Sequence, residues 1–200
     1  MTQDVGEFEL RAQKSALRKE MIARRAALPE GDLRERSRLL AEAALREIPW
    51  RSLRRISLFW SLAGELDTQP LLQALHRGGA TPLLPRMHGR GRPLTFHAWT
   101  PGATLVPGPM QVMEPPPDSP VVVPDIVLAP LLAFDRRGGR LGYGAGFYDR
   151  TLAELAGQGH DVIVIGYALA MQEVPAVPTG SNDVALRSVL TENGLIRCVA

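Results

Sequence analysis

The segment that most limits what this chain can fold into lies between two runs of strand-forming residues near its end. Asp125 to Ala129 is apolar and β-branched, Phe147 to Leu155 has helical spacing, and Val162 to Tyr167 is apolar and β-branched again. Strand, helix and strand in that order make a crossover unit, which implies a parallel sheet with helices packed on its faces. The expected fold is therefore α/β, a single-domain three-layer α/β/α sandwich with a mostly parallel sheet. A chain of 200 residues with 45% apolar content suffices for one such domain over residues 1–200.

The remaining elements follow from period and punctuation. Leu10 to about Leu28 reads as a helix stopped by Pro29 and Gly31, with residues 1–9 expected as a flexible tail. A second helix is predicted from an Asp32 cap to Ile48, with Leu33, Ser37, Leu40, Ala44 and Ile48 on its inner face. Arg55 to Trp60 reads as a buried strand, Thr68 to His76 as a helix, and Thr81 to Leu84 and Leu94 to Trp99 as strands. From Pro101 to Pro124 prolines recur too densely for a helix or central strand, so the stretch is an extended excursion. Val189 to Thr191 and Leu195 to Val199 add short edge strands.

Between the Asp125 strand and the Phe147 helix stand Gly142, Gly144 and Gly146, which permit positive φ and close backbone approach, while the helix start offers unpaired N–H groups to an anion. Neither the P-loop spacing nor the dinucleotide fingerprint is present, so the glycines suit a phosphate cradle and a structural turn about equally. Their neighbours favour the cradle. Arg140 can neutralise phosphate, Tyr143, Phe147 and Tyr148 can line a pocket for a flat heterocycle, and Asp149 can hold Mg²⁺. Asp149 also suits a helix-start acid, Tyr148 a core residue and Arg140 a surface cation.

The formal charge is only +2, yet Arg11 to Arg55 holds thirteen Lys/Arg against six Asp/Glu. Such an excess fits an anionic partner, whether nucleotide, polyglutamate or nucleic acid, and equally a solvated helix face. On the first helix Leu10, Leu17, Met21 and Leu28 form one stripe, and Lys14, Arg18 and Arg25 a second about 60° away. The cations therefore border the buried face. Several chemistries drop out. The apolar runs are too short to span a membrane and the N-terminus lacks a secretory layout, so the cytoplasm is the expected compartment. Cys198 is the only cysteine and His76, His88, His97 and His160 lack metal spacing, while no Gly-x-Ser-x-Gly elbow occurs.

With a strand ending in proline, Phe134-Asp135, Arg140-Leu141-Gly142, alternating glycines and Tyr148-Asp149, the stretch from Pro130 to Arg150 resembles the signature of the 5-formyltetrahydrofolate cyclo-ligase family. Lys14-Ser15-Ala16-Leu17-Arg18 resembles the family's ATP-contacting Lys-x-x-x-Arg segment, and Glu65-Leu66-Asp67-Thr68 its Glu-x-x-Thr element, whose first acid contacts folate. Asn182-Asp183, with Leu186 and Thr191-Glu192 after it, resembles the C-terminal element whose aspartate assists the metal. The chain departs from the family pattern at Phe147, where Tyr is usual, at Ala145, and at the bulky Trp60.

The resemblance implies a three-layer parallel-sheet fold and an ATP- and Mg²⁺-dependent ligase closing 5-formyltetrahydrofolate to 5,10-methenyltetrahydrofolate, in folate one-carbon metabolism. It implies Lys14, Arg18 and Arg140 as the catalytic cations. ATP would meet Lys14, Ser15, Ala16, Leu17 and Arg18, then Arg140, Leu141, Gly142, Tyr143, Gly144, Ala145, Gly146, Phe147 and Tyr148. Folate would meet Trp60, Glu65 and the loop from Tyr143 to Phe147, and Mg²⁺ would meet Asp149 and Asp183. The implied partners are the folate and Mg·ATP, with no membrane or nucleic acid, in a monomer or weak dimer. Two alternatives stand beside it: a non-catalytic member that only binds folate or nucleotide, and a basic nucleic-acid-binding module. A sugar-phosphate isomerase of similar layering is a fold analogy alone.

Overall fold

The computed structural model describes residues 2–180 and 183–199. In chain order its strands are β1 (Arg55–Ser57), β2 (Thr81–Arg86), β3 (Thr95–Ala98), β4 (Val106–Pro107), β5 (Met113–Glu114) and β6 (Ile126–Pro130), followed by β7 (Ala133–Phe134), β8 (Arg140–Leu141), β9 (Ile163–Tyr167), β10 (Ser188–Thr191) and β11 (Gly194–Arg197). The helices are α1 (Thr2–Ala26), α2 (Glu30–Glu47), α3 (Gln69–Arg77) and α4 (Phe147–Gly157). Seven strands form the central sheet in the order β11-β10-β9-β6-β1-β2-β3, and β4-β5 and β7-β8 are separate two-stranded ladders. All central pairings are parallel, and only the edge pairs β2-β3 and β10-β11 are antiparallel. The expected α/β sandwich with a mostly parallel sheet is the fold.

Period-2 alternation sorts the strand residues between the two faces. Ile56, Leu58, Ile126, Leu128, Ile165 and Tyr167 join Leu40, Ala44, Leu71 and Leu75 of α2 and α3 in the main core. Val127 and Ala129 turn to the opposite face, where they meet Leu83, Phe96 and, from the α4 side, Tyr148 and Leu155. Each fully buried leucine in these layers contributes about 1.5–3 kcal/mol relative to an exposed one. A smaller cluster of Met21, Leu132, Ala133, Leu141, Val174 and Val177, with Leu17 against it, seats α1 on the β7-β8 hairpin.

Two helix starts differ from expectation. α1 begins at Thr2, so residues 2–9 continue the helix where a flexible tail was expected. The expectation followed the apolar stripe, which begins only at Leu10, whereas Gly6 to Glu9 stay exposed and Glu7 pairs with Arg11 one turn on. α2 begins at Glu30 with Pro29 in the cap position, not Asp32, and Asp32 falls within the first turn. Proline's fixed φ, here −57°, already suits a helix entry. The β7-β8 hairpin was not expected, since two residues per strand show no alternation. The proline-rich excursion is extended as predicted, carrying β4 and β5 and a one-turn 3-10 helix, Pro109–Gln111.

The topology fixes where a ligand can enter. From β1 the chain passes through α3 to β2 on one side, whereas from β6 it passes through α4 to β9 on the other. β1 and β6 are neighbours, so their onward connections diverge and leave a crevice beyond their C-terminal ends.

Candidate active site

A cavity of about 290 Å³ occupies that crevice. Phe59 and Trp60, just after β1, and Pro130, at the end of β6, form its floor. Gly142 to Asp149 form one wall, joined by Lys14 and Arg18 from α1 and by Asp183. Met110, Val112 and Glu114 of the proline-rich excursion form the facing wall. Trp60 leans on Trp99, with ring centroids 6.4 Å apart. Glu114 is buried, accepts the Met87 N–H at 3.1 Å, and is pushed above the usual carboxylate range by burial.

The glycine wall is aimed by the hairpin before it. Asp135, buried at the tip, accepts N–H bonds from Arg137 (2.9 Å), Gly139 (3.0 Å) and Val177 (2.8 Å). Burial alone would raise its pKa, but these donors together hold it below the ordinary aspartate value. Gly138, at φ +86°, has no room for a side chain, since a Cβ there would stand 2.3 Å from the Leu186 carbonyl. This tight turn delivers Arg140 with its side chain only 6% exposed. Its Nη2 donates to Asp149, and its Nη1 is buried without a hydrogen-bond partner. Among the described residues, no main-chain N–H from Tyr143 to Asp149 donates to a protein acceptor. Seven successive free donors beside an unsatisfied guanidinium make a cradle for an anion.

Cations and acids alternate around this cradle. Lys14 Nζ lies 2.5 Å from Asp183 Oδ2, which also accepts the Gly180 N–H at 2.6 Å. Burial pushes Asp183 upward, but the Gly180 N–H and the Lys14 ammonium outweigh it and hold the carboxylate below its usual range. Asp149 pairs with Arg140 and takes a 3.4 Å contact from the Val184 N–H, which brings both aspartates to the same end of the cavity. Among the described residues no three His, Cys, Asp or Glu gather as a metal cage. Two carboxylates beside unpaired N–H donors and cations nonetheless fit Mg²⁺, which is commonly held by one or two carboxylates together with substrate phosphates.

At the other end Glu65 accepts hydrogen bonds from the Tyr143 hydroxyl and, at 3.0 Å, from the Leu62 N–H. Arg25 reaches it at 3.5 Å, donates to the Tyr143 hydroxyl at 2.8 Å, and lies 5.9 Å from the tyrosine ring centroid. Burial raises the Glu65 pKa, and the Leu62 N–H and Arg25 oppose that rise.

Most residues expected at the site line this one cavity: Lys14, Arg18, Trp60, Glu65, every position from Arg140 to Asp149, and Asp183. Arg18 also donates from Nε to the Gly142 carbonyl at 2.8 Å, so it braces the loop as well as facing the cavity. Three expected positions are not among the lining residues. Ser15 and Ala16 are exposed, and Leu17 packs against the Met21 cluster. Asn182 lies outside the described residues. Sequence reasoning missed Arg25 as a site residue although it shares the Lys14–Arg18 stripe, and it missed Met110, Val112 and Glu114. The stripe was a usable signal for Arg25, but an irregular excursion carries no period from which its inward side chains could be read.

Residues 10–192 match the 5-formyltetrahydrofolate cyclo-ligase family. The 5-formyltetrahydrofolate cyclo-ligase of Escherichia coli (strain K12) is 36% identical over 174 residues, covering 84% of this chain and 94% of that protein. That of Mycolicibacterium smegmatis is 37% identical over 192 residues, covering 89% and 93%. Among solved structures, the Aquifex aeolicus 5,10-methenyltetrahydrofolate synthetase superposes with a TM-score of 0.78 at 26% identity, covering 94% of this chain and 93% of that one. The Mycoplasma pneumoniae 5,10-methenyltetrahydrofolate synthetase has the same fold, with a TM-score of 0.70 at 20% identity over 90% of this chain and 98% of that one.

Proposed function

The chain belongs to the 5-formyltetrahydrofolate cyclo-ligase family, and from that membership we propose how its cavity carries out the reaction. It is a ligase of folate one-carbon metabolism, converting 5-formyltetrahydrofolate to 5,10-methenyltetrahydrofolate. The formyl group on N5 is an amide whose oxygen leaves poorly. Transfer of the γ-phosphoryl of ATP to that oxygen makes an imidate phosphate, releasing ADP. N10 then attacks the activated carbon, loses its proton, and phosphate departs with the C–O bond as the ring closes. Both nucleophiles belong to the substrate, so the protein's work is positioning and charge neutralisation.

The observation that carries this reading is one cavity joining the N–H cradle and the unsatisfied Arg140 Nη1 to an aromatic and apolar floor. Lys14, Arg18, Arg140 and the main-chain N–H groups of the loop hold the phosphates, Asp149 and Asp183 would hold Mg²⁺, and Glu65 with Trp60 and the side chains of the Tyr143 to Phe147 loop receives the folate. When bound, Mg²⁺ supplies charge neutralisation across the phosphate oxygens. The Lys14–Asp183 and Arg140–Asp149 pairs place a cation beside each carboxylate, so the cations would be available to phosphate and the carboxylates to Mg²⁺ without stranding a buried charge. No helix among the described residues is long and apolar enough to cross a membrane. A cytoplasmic, monomeric or weakly dimeric enzyme completes the proposal, and the lone Cys198 is compatible with a reducing compartment.

Mixing the pure protein with 5-formyltetrahydrofolate, ATP and Mg²⁺ tests it. Methenyl absorbance should rise only when all three are present, with one ADP per product. Folate and nucleotide binding without turnover would favour the non-catalytic alternative, and salt-sensitive oligonucleotide binding indifferent to ATP would favour the nucleic-acid module.

A further inference from the structure

The glycine loop is held from behind by an arginine that is not among the residues lining the cavity. Arg150, in the first turn of α4, donates from Nη2 to the Ala145 carbonyl and sets its guanidinium carbon 5.7 Å from the Phe147 ring centroid. Its Nε is buried without a partner, so the group is committed to this position at some cost. Gly146, at φ +63°, makes room for it, because a Cβ there would stand 2.8 Å from Nη1.

The described residues hold no cis peptide bond, and in a trans peptide unit the C=O and the following N–H point in opposite directions. Arg150 draws the Ala145 oxygen toward α4, which turns the Gly146 N–H the other way, away from the guanidinium. A loop with that peptide flipped would present a carbonyl dipole to the anion instead. We infer that Arg150 is a positioning residue for the nucleotide, acting through the Ala145–Gly146 peptide to keep the phosphate cradle donor-side out. The inference rests on the cavity's being the ATP site.

Arg150→Met keeps the packing stem and removes every donor, and Arg150→Lys keeps the charge and a single donor group. Titration calorimetry with Mg²⁺ and the non-hydrolysable analogue AMP-PNP reads nucleotide affinity without turnover, and steady-state kinetics reads KM for ATP and for folate separately. In Arg150→Met, nucleotide Kd and KM should rise about tenfold with folate KM moving less than about twofold, Arg150→Lys falling between. Added methylguanidinium should partly restore nucleotide affinity to Arg150→Ala and leave the unsubstituted protein unchanged. Unaltered nucleotide affinity in the variants overturns the role, as does an equal rise in both KM values. Should circular dichroism find the Met variant unfolded, the Lys variant decides: a loss confined to nucleotide supports the role and wild-type affinity overturns it. Unsubstituted protein that fails to bind Mg·AMP-PNP sinks the ATP reading of the cavity itself, a result distinct from variants that bind as well as it does.

Discussion

α1 and α2 are close in composition, both rich in arginine, glutamate and alanine, yet their cations have different fates. On α2, Arg34 pairs with Glu30, Arg38 with Glu35 and Glu42, and Arg46 with Glu47, all largely in solvent, and only Arg36 leaves the helix, to reach Glu192. On α1, Arg11 and Arg24 also pair within the helix, but Lys14, Arg18 and Arg25 reach Asp183, the Gly142 carbonyl and Glu65. The three that leave α1 have no acid three or four residues away, so nothing local competes for them. That condition is permissive and not sufficient, since Lys19 shares it and is exposed. A basic run is thus two populations, surface pairs worth little and long-range braces on which the cavity depends.

The contrast can be broken most forcefully at Arg18. Arg18→Ala removes a loop brace and a cavity cation together, so KM for ATP should rise by one to two orders of magnitude, from the loss of about 1.5–3 kcal/mol of charge-assisted bonding. Arg24→Ala, which loses only an exposed pair with Glu20, is the matched control. Equal ATP titrations for the two variants would erase the distinction between braces and surface pairs.

A smaller, pH-dependent effect is expected at Arg25. Burial raises the Glu65 pKa in the folded state, and Arg25 restrains that rise. A carboxyl with a raised folded pKa favours the fold below its unfolded value, near 4.3, and that contribution is lost as pH climbs through the folded value. Arg25→Leu should therefore cost about 1–3 kcal/mol at pH 7 and clearly less at pH 4, where Glu65 is protonated. Urea midpoints at the two pH values measure this, and a cost independent of pH would show that Arg25 acts on Glu65 only through packing.

The smallest effect belongs to Arg34→Ala on α2. Its partner Glu30 is almost fully exposed and the pair is screened by solvent, so neither melting temperature nor KM for ATP should move beyond error. A measurable rise in KM for ATP would mean that the basic surface of α2 steers the nucleotide, and would blur the line between the two helices.

Much of this could be read along the chain because it is periodic or local. Apolar β-branched runs and the 3.6 period located the parallel strands and the helices, within a few residues, and the glycines with Arg140 and Asp149 marked the loop that walls the cavity. Lys14, Arg18 and Arg25 were placed on one stripe by helical geometry alone. What the tertiary structure decided is where non-local pieces meet. The Arg25–Glu65 contact joins residues 40 apart and the Lys14–Asp183 pair residues 169 apart. Met110, Val112 and Glu114 come from a segment without period, so no pattern in it says which side chains turn inward. The Ala145 carbonyl is bonded by Arg150 only five residues on, a short-range contact that no period in the sequence announces. Local pattern specifies which face of an element is buried, but the choice of partner across a crevice is set by sheet order and strand divergence, which the pattern within any one element does not contain.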